Sequence, residues 1–122
     1  KRISAMKNDL MKDPVLVRFL PAKATTFLYK EEKNKLKALA NYLNASDNVS
    51  CTIVGHTDNV KSEESNMRLG KKRAEFTKRK LLEYSVDANK INTTSKGETA
   101  PIATNKTERG KALNRRTEVI IN

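Results

Sequence analysis

Leu36, Leu39, Ala40 and Leu43 recur at i, i+3, i+4 and i+7, the spacing that lines one face of an α-helix. The pattern predicts an amphipathic helix from about Glu31. Glu31 and Glu32 then fall in its first turn, where carboxylates favour the helix dipole. The stretch 44–48, polar but for Ala45, ends it. Ahead of it, the apolar run 15–20 reads as a strand closed by Pro21, and 22–26 as loop. After it, Val49, Cys51 and Ile53 alternate with Ser50 and Thr52, the period of a strand. A long helical pattern follows over about 63–84. Its predicted core face carries Met67, Gly70, Ala74, Thr77, Leu81 and Tyr84. Residues 91–96 predict a third, weaker strand. Residues 97–113 form a polar connection with a helical turn near 107–112. Residues 116–122 predict the last strand, with Thr117, Val119 and Ile121 on one face.

Strand, helix, strand implies a parallel crossover. The order β-α-β-α-β-β predicts an α/β fold of the α+β kind: a two-layer sandwich with a mixed four-stranded sheet and helices on one face. Residues 1–14 are polar and Lys-rich, with Ile3, Met6 and Leu10 at helical spacing. They read as a linker or the tail of a preceding segment, and 15–122 as one domain. The chain starts at Lys1 in mid-pattern, which fits a piece excised from a longer protein.

Composition changes this picture little. The 122 residues suffice for one core, and with 5% aromatics and no Trp that core is mostly aliphatic. No apolar run is long enough for a membrane-spanning helix. The single cysteine, Cys51, excludes an internal disulfide and reads as a small buried hydrophobe. Charge matters more. The net +11 points to anionic partners: nucleic acid, anionic lipid or a carboxylate-rich polymer, unless it is only a solvated basic surface. Gly70 costs its helix about 1 kcal/mol against Ala and permits close packing.

The candidate chemistry lies at Gly55-His56-Thr57-Asp58-Asn59, where a strand delivers an Asp at its end, and at Arg73-Ala74 on the helix that follows. Asp accepts from an ammonium and Arg forks onto a carboxylate, so the pair can grip a zwitterion. Taken alone, Asp58 is better explained as turn chemistry. Arg73 lies two turns from Asn66, so both point to one side of the helix. A core does not easily absorb an Arg, so that side is expected to border a groove or solvent.

Gly-His-Thr-Asp at 55–58, Asn66, Leu69, Arg73-Ala74, Gly97-Glu98 with Pro101, Asn105, and Asn114-Arg115-Arg116 before a final strand together resemble the OmpA-like peptidoglycan-binding domain. The resemblance covers about 15–122. It implies that Asp58 and Arg73 bind the free amino and carboxylate groups of diaminopimelate in the peptidoglycan stem peptide. It implies further that Asn66 and Arg115 line the same groove. The domain would dock non-covalently on the wall in the periplasm of a Gram-negative bacterium, anchoring an outer-membrane or membrane-bound parent. Two positions depart from the family: Gly70 for a small hydroxyl residue, and Thr117 for an aliphatic one.

Arg115-Arg116 also reads as a solvated basic strand start, with alternation sending the two side chains to opposite faces. His56, the only His, has no second His or Cys nearby to make a metal site, and local hydrogen bonding is its expected role. Nothing assembles a nucleophile, base and oxyanion site, so no enzyme and no cofactor are expected. Gly97, Glu98 and Pro101 read as turn residues. The alternative function is a basic nucleic-acid-binding domain using the run 71–80. Scarce stacking aromatics speak against it.

Overall fold

A computed structural model describes residues 2–122. The elements run α1 (Ile3–Lys12), β1 (Leu16–Arg18), α2 (Lys30–Ala45), β2 (Cys51–His56), α3 (Glu63–Glu83), a 3-10 turn (Ala88–Lys90), β3 (Ile91–Gly97), α4 (Glu108–Asn114) and β4 (Arg116–Ile121). The four strands form one sheet in the order β1-β4-β2-β3. β2 and β3 pair in parallel through the α3 crossover, and β4 runs antiparallel to both β1 and β2. The first expected crossover is therefore split: β1 and β2 point the same way, but β4 inserts between them. The sheet is mixed, as the sequence predicts.

Boundaries follow local chemistry. β1 is three residues, shorter than the apolar run 15–20, because Phe19 and Leu20 leave the ladder. The Phe19 amide still donates to the Arg115 carbonyl at 3.0 Å. α2 opens with the Tyr29 amide donating to Glu32 Oε1 at 2.9 Å. It closes with Lys90 Nζ on the Ser46 carbonyl at 2.6 Å, a cation where the helix dipole wants one. Ser62 caps α3 by accepting from the Ser65 amide, and Thr107 caps α4 by accepting from the Gly110 amide. The core joins Leu36, Leu39 and Leu43 of α2 to Val17, Cys51 and Ile53 of the sheet and Ala74 and Leu81 of α3. Cys51 is fully buried, and burial pushes its thiol up to about 11. α1 packs on this body through buried Leu10, and Lys35 of α2 pairs with Asp13 at 2.9 Å. Met67 departs from its expected core position: it is 44% exposed on α3, while Asn66 beside it is buried. Among the described residues, no helix is long and apolar enough to cross a membrane.

The close fit of α3 on β2 positions everything that follows. A Cβ on Gly55 would lie 1.7 Å from the Gly70 carbonyl oxygen, so helix and strand meet backbone to backbone. A Cβ on Gly70 would lie 2.1 Å from Ser95 Oγ. The departure at Gly70 thus has a partner: Ser95 of β3 fills the space that a side chain at 70 would need. Thr117 is explained in the same way. It is buried, and its Oγ1 lies 2.8 Å from Oγ1 of Thr77 on α3, so each hydroxyl satisfies the other.

Candidate functional site

The loop after β2 carries Asp58 away from the sheet. The Thr57 amide donates to the Gly97 carbonyl at 2.9 Å and Thr57 Oγ1 donates to the Asp58 carbonyl at 2.7 Å, which fixes the Asp58 backbone. The Asp58 carboxylate has two partners. Oδ1 accepts from the Val60 amide at 3.2 Å, and Oδ2 accepts from Arg115 Nη1 at 3.2 Å. Both contacts are long for charge-assisted bonds, and a carboxylate offers about four acceptor positions, so Asp58 keeps capacity for a further donor. Its side chain is 11% exposed and that of Arg115 8%.

Arg115, at the α4–β4 junction, also donates from Nε to the Phe19 carbonyl at 2.9 Å. Arg73 reaches the same segment from α3. Its Nε donates to the Lys23 carbonyl at 2.8 Å, Nη1 to the His56 carbonyl at 2.8 Å and Nη2 to the Leu20 carbonyl at 3.2 Å. Its guanidinium lies 5.2 Å from the Phe19 ring centroid, a cation–π contact. Burial lowers its pKa to about 10, with Asp58 pulling it up and Arg115 pushing it down. It stays charged at neutral pH. Two guanidinium groups and one carboxylate thus share a small volume behind the β1–α2 loop.

One expectation is corrected here. Arg73 does not border a groove or solvent; its residue exposure is 0%. An Arg can be absorbed because three carbonyls from two loop residues and a strand end converge on it. The helical period already held the signal: residue 73 stands three after Gly70 and four before Thr77, both on the core face. Asn66 is also buried, and Nδ2 donates to the Lys61 carbonyl at 3.1 Å and to Glu98 Oε1 at 2.9 Å. Glu98 is thus more than a turn residue, since it holds Asn66. The structure joins Asp58 to Arg115 directly and sets Arg73 within electrostatic reach. It gives Asn66 no direct bond to these three.

The basic strand start is not solvated either. Arg115 and Arg116 are both buried. Arg116 donates from Nε to Glu118 Oε2 at 2.9 Å and from its terminal nitrogens to the Asn114 and Ala100 carbonyls. His56 bonds not locally but across the sheet, Nε2 lying 3.2 Å from Glu118 Oε1. Burial and the Arg116 charge hold the His56 pKa below its usual value, against the pull of Glu118. Burial alone would raise Glu118, but its bond to Arg116 and the Arg116 and His56 charges bring it below the usual carboxylate range. Sequence reasoning passed over Glu118 because one acid in a strand carries no pattern. It also passed over the carbonyls of Phe19, Leu20 and Lys23, which no side-chain pattern reports. Among the described residues, no three His, Cys, Asp or Glu side chains gather as a metal site.

A family model described as the OmpA family matches residues 22–115. Outer membrane protein A of Bordetella avium is 39% identical over 94 residues, covering 77% of this chain and 48% of that protein. The probable lipoprotein YiaD of Escherichia coli is 34% identical over 114 residues, covering 93% of this chain and 51% of that protein. The peptidoglycan-binding protein ArfA of Mycobacterium tuberculosis is 38% identical over 87 residues, covering 71% and 27%. The chain therefore spans about half the length of these curated relatives, or less. Among solved structures, the peptidoglycan-associated lipoprotein of Burkholderia pseudomallei superposes with a TM-score of 0.81 at 28% identity, covering 88% of this chain and 89% of that one. The C-terminal domain of Helicobacter pylori MotB shares the fold, with a TM-score of 0.73 at 24% identity and coverage of 88% and 83%. The matched span takes in the Asp58 loop, Arg73 and Arg115, and on sequence and fold together the chain belongs to the OmpA family.

Proposed function

We propose that this domain binds peptidoglycan non-covalently through the diaminopimelate of the stem peptide, in the periplasm, and so anchors an outer-membrane or membrane-bound parent protein to the wall. The observation that carries the reading is the Asp58 carboxylate: 11% exposed, held by two long hydrogen bonds, and flanked by two buried guanidinium groups. Such a group accepts an ammonium through its free lone pairs, while the neighbouring cations favour a carboxylate beside it. Diaminopimelate offers both charges on one carbon. Relatives and neighbours named for peptidoglycan binding or association give the ligand class.

In this reading Asp58 takes the ammonium. Arg115, with donors left beyond Phe19 and Asp58, meets the carboxylate first. Arg73 joins it when the loop 20–26 releases a carbonyl, because in the free domain that guanidinium is covered. Asn66 braces the mouth through Glu98. A lysine stem peptide lacks the second carboxylate and leaves these donors unpaired, a loss on the order of 1–3 kcal/mol. Calorimetry with diaminopimelate-type and lysine-type stem peptides tests this. The former is expected to bind about ten times tighter or more. Equal affinities, or undiminished binding by Asp58→Asn, overturn the assignment.

A further inference from the structure

A groove of about 980 Å³ opens next to this site, between the β1–α2 loop, the start of α2 and α4. Leu20, Phe27 and Tyr29 on its walls are 66%, 70% and 70% exposed, although large apolar side chains favour burial. The two rings meet edge to face, with centroids 5.1 Å apart and planes at 83°, so they form an apolar corner. Lys33 Nζ stands 5.9 Å from the Phe27 centroid and helps to hold that ring. Polar groups surround the corner: Arg18, Lys30 and Lys35 as cations, Glu31 and Glu32 as acceptors.

The groove shares residues with the candidate site, although Asp58 itself does not line it. Arg115 lines it and also pairs with Asp58. Phe19 and Leu20 line it too, and their carbonyls accept from Arg115 and Arg73. A polymer held at Asp58 would reach it past Arg115. The chemistry of its walls selects the occupant. An aromatic corner suits the apolar C–H face of a pyranose, and rigid rings bury area at little entropic cost. Carboxylates and cations placed together suit hydroxyl and N-acetyl groups. An anionic membrane surface prefers a field of one sign, and the two Glu side chains break that field.

We propose that this groove is a sugar subsite, taking an N-acetylated hexosamine of the wall glycan in the Phe27–Tyr29 corner while the attached stem peptide runs past Arg115 to Asp58. The inference rests on the stem-peptide reading above and adds the glycan to it. The test titrates the domain and its Phe27→Ala/Tyr29→Ala variant with four probes: the free stem peptide, the same peptide on its amino-sugar disaccharide, an N-acetylglucosamine oligomer, and phosphatidylglycerol vesicles. Both substitutions are on the surface, and a thermal melt checks that the variant folds. The sugar-bearing peptide is expected to bind the unmodified domain about tenfold tighter than the free peptide. The variant is expected to lose that gain while binding the free peptide unchanged. Equal affinity of the two peptides for the unmodified domain, or a gain that persists in the variant, overturns the sugar subsite. So does vesicle binding that depends on the two rings while the sugar probes ignore them. Failure of the free peptide alone, with ring-dependent binding of the oligomer, sinks the diaminopimelate reading and leaves the sugar subsite standing.

Discussion

Asp58 and Arg73 carry opposite charges in one small volume, yet substitutions at the two are expected to act differently. Asp58 has two long hydrogen bonds and lies at the edge of the buried cluster, its side chain 11% exposed. Asp58→Asn should leave the fold nearly intact and remove the ammonium partner, costing roughly 2–5 kcal/mol of binding. Arg73, with 0% exposure, holds three backbone carbonyls. Arg73→Ala strands them and should cost stability on the order of 3–5 kcal/mol, so its binding loss is confounded with unfolding. Denaturant titration beside wall sedimentation separates the two effects; an Arg73→Ala domain as stable as its parent would show that those carbonyls find water at no cost. The His56 prediction concerns pH. Its folded pKa lies below the ordinary 6.5, so as pH falls through 6.5 the unfolded chain takes up a proton that the folded chain refuses. Stability should be full above that value and fall from there toward the folded pKa. Glu118, also depressed, loses its contribution only at more acid pH, below the ordinary 4.5. Because His56 is the only His, His56→Gln should flatten the denaturant midpoint between pH 7 and 5.5. An unchanged slope would assign that loss to other groups.

At the scale of elements, the resemblance rests on residues that mostly hold the scaffold. Asn114 accepts from the Ile102 and Ala103 amides and donates to the Ala103 carbonyl and to Asn105 Oδ1, which pins the loop before α4. Gly97, at φ 52°, ends β3 where a side chain would be strained. Gly55 lets α3 lie against β2. The helices and strands were legible because their periods of 3.6 and 2 are long and clean. The placement of β4 between β1 and β2 was not, because crossover logic speaks of direction and not of which strand fills the gap. The two departures from the family were visible as anomalies, but Ser95 and Thr77, which explain them, stand 25 and 40 residues away in sequence. Both can be tested. Gly55→Ala must move backbone against backbone and should cost about 1–3 kcal/mol or more, despite the poor strand propensity of Gly. Thr117→Val leaves the buried Thr77 hydroxyl without its partner and should cost roughly 1–3 kcal/mol, while adding Thr77→Val should recover most of it. A strictly additive double variant would mean that the two hydroxyls do not support each other.

Over the whole molecule, the net +11 divides into two populations that composition cannot separate. Arg73, Arg115 and Arg116 are interior and bonded, whereas Lys71, Lys72 and Arg79 of the same basic run as Arg73 face water. Salt acts on the two unequally: exposed charges are screened beyond a Debye length of about 10 Å at 0.1 M, and buried ones much less. The nucleic-acid alternative relied on the run 71–80, whose continuity along the chain is broken in space by the inward turn of Arg73. Binding of duplex DNA should therefore be a property of the exposed cations alone, weak and falling steeply with salt as counterions compete. Binding of the free stem peptide should change little, because Asp58, Arg115 and Arg73 lie behind the β1–α2 loop. Sedimentation with intact walls should fall between them, since in the proposed reading the exposed cations meet wall carboxylates at long range while Asp58 and Arg115 meet the peptide at short range. Titrations from 50 mM to 500 mM salt with the three ligands check the order. DNA binding that is tight, sequence-dependent and salt-resistant would return the basic helix to a functional role. Stem-peptide binding as salt-sensitive as that of DNA would mean that the peptide meets only the surface charge, and that the buried cluster around Asp58 is architecture alone.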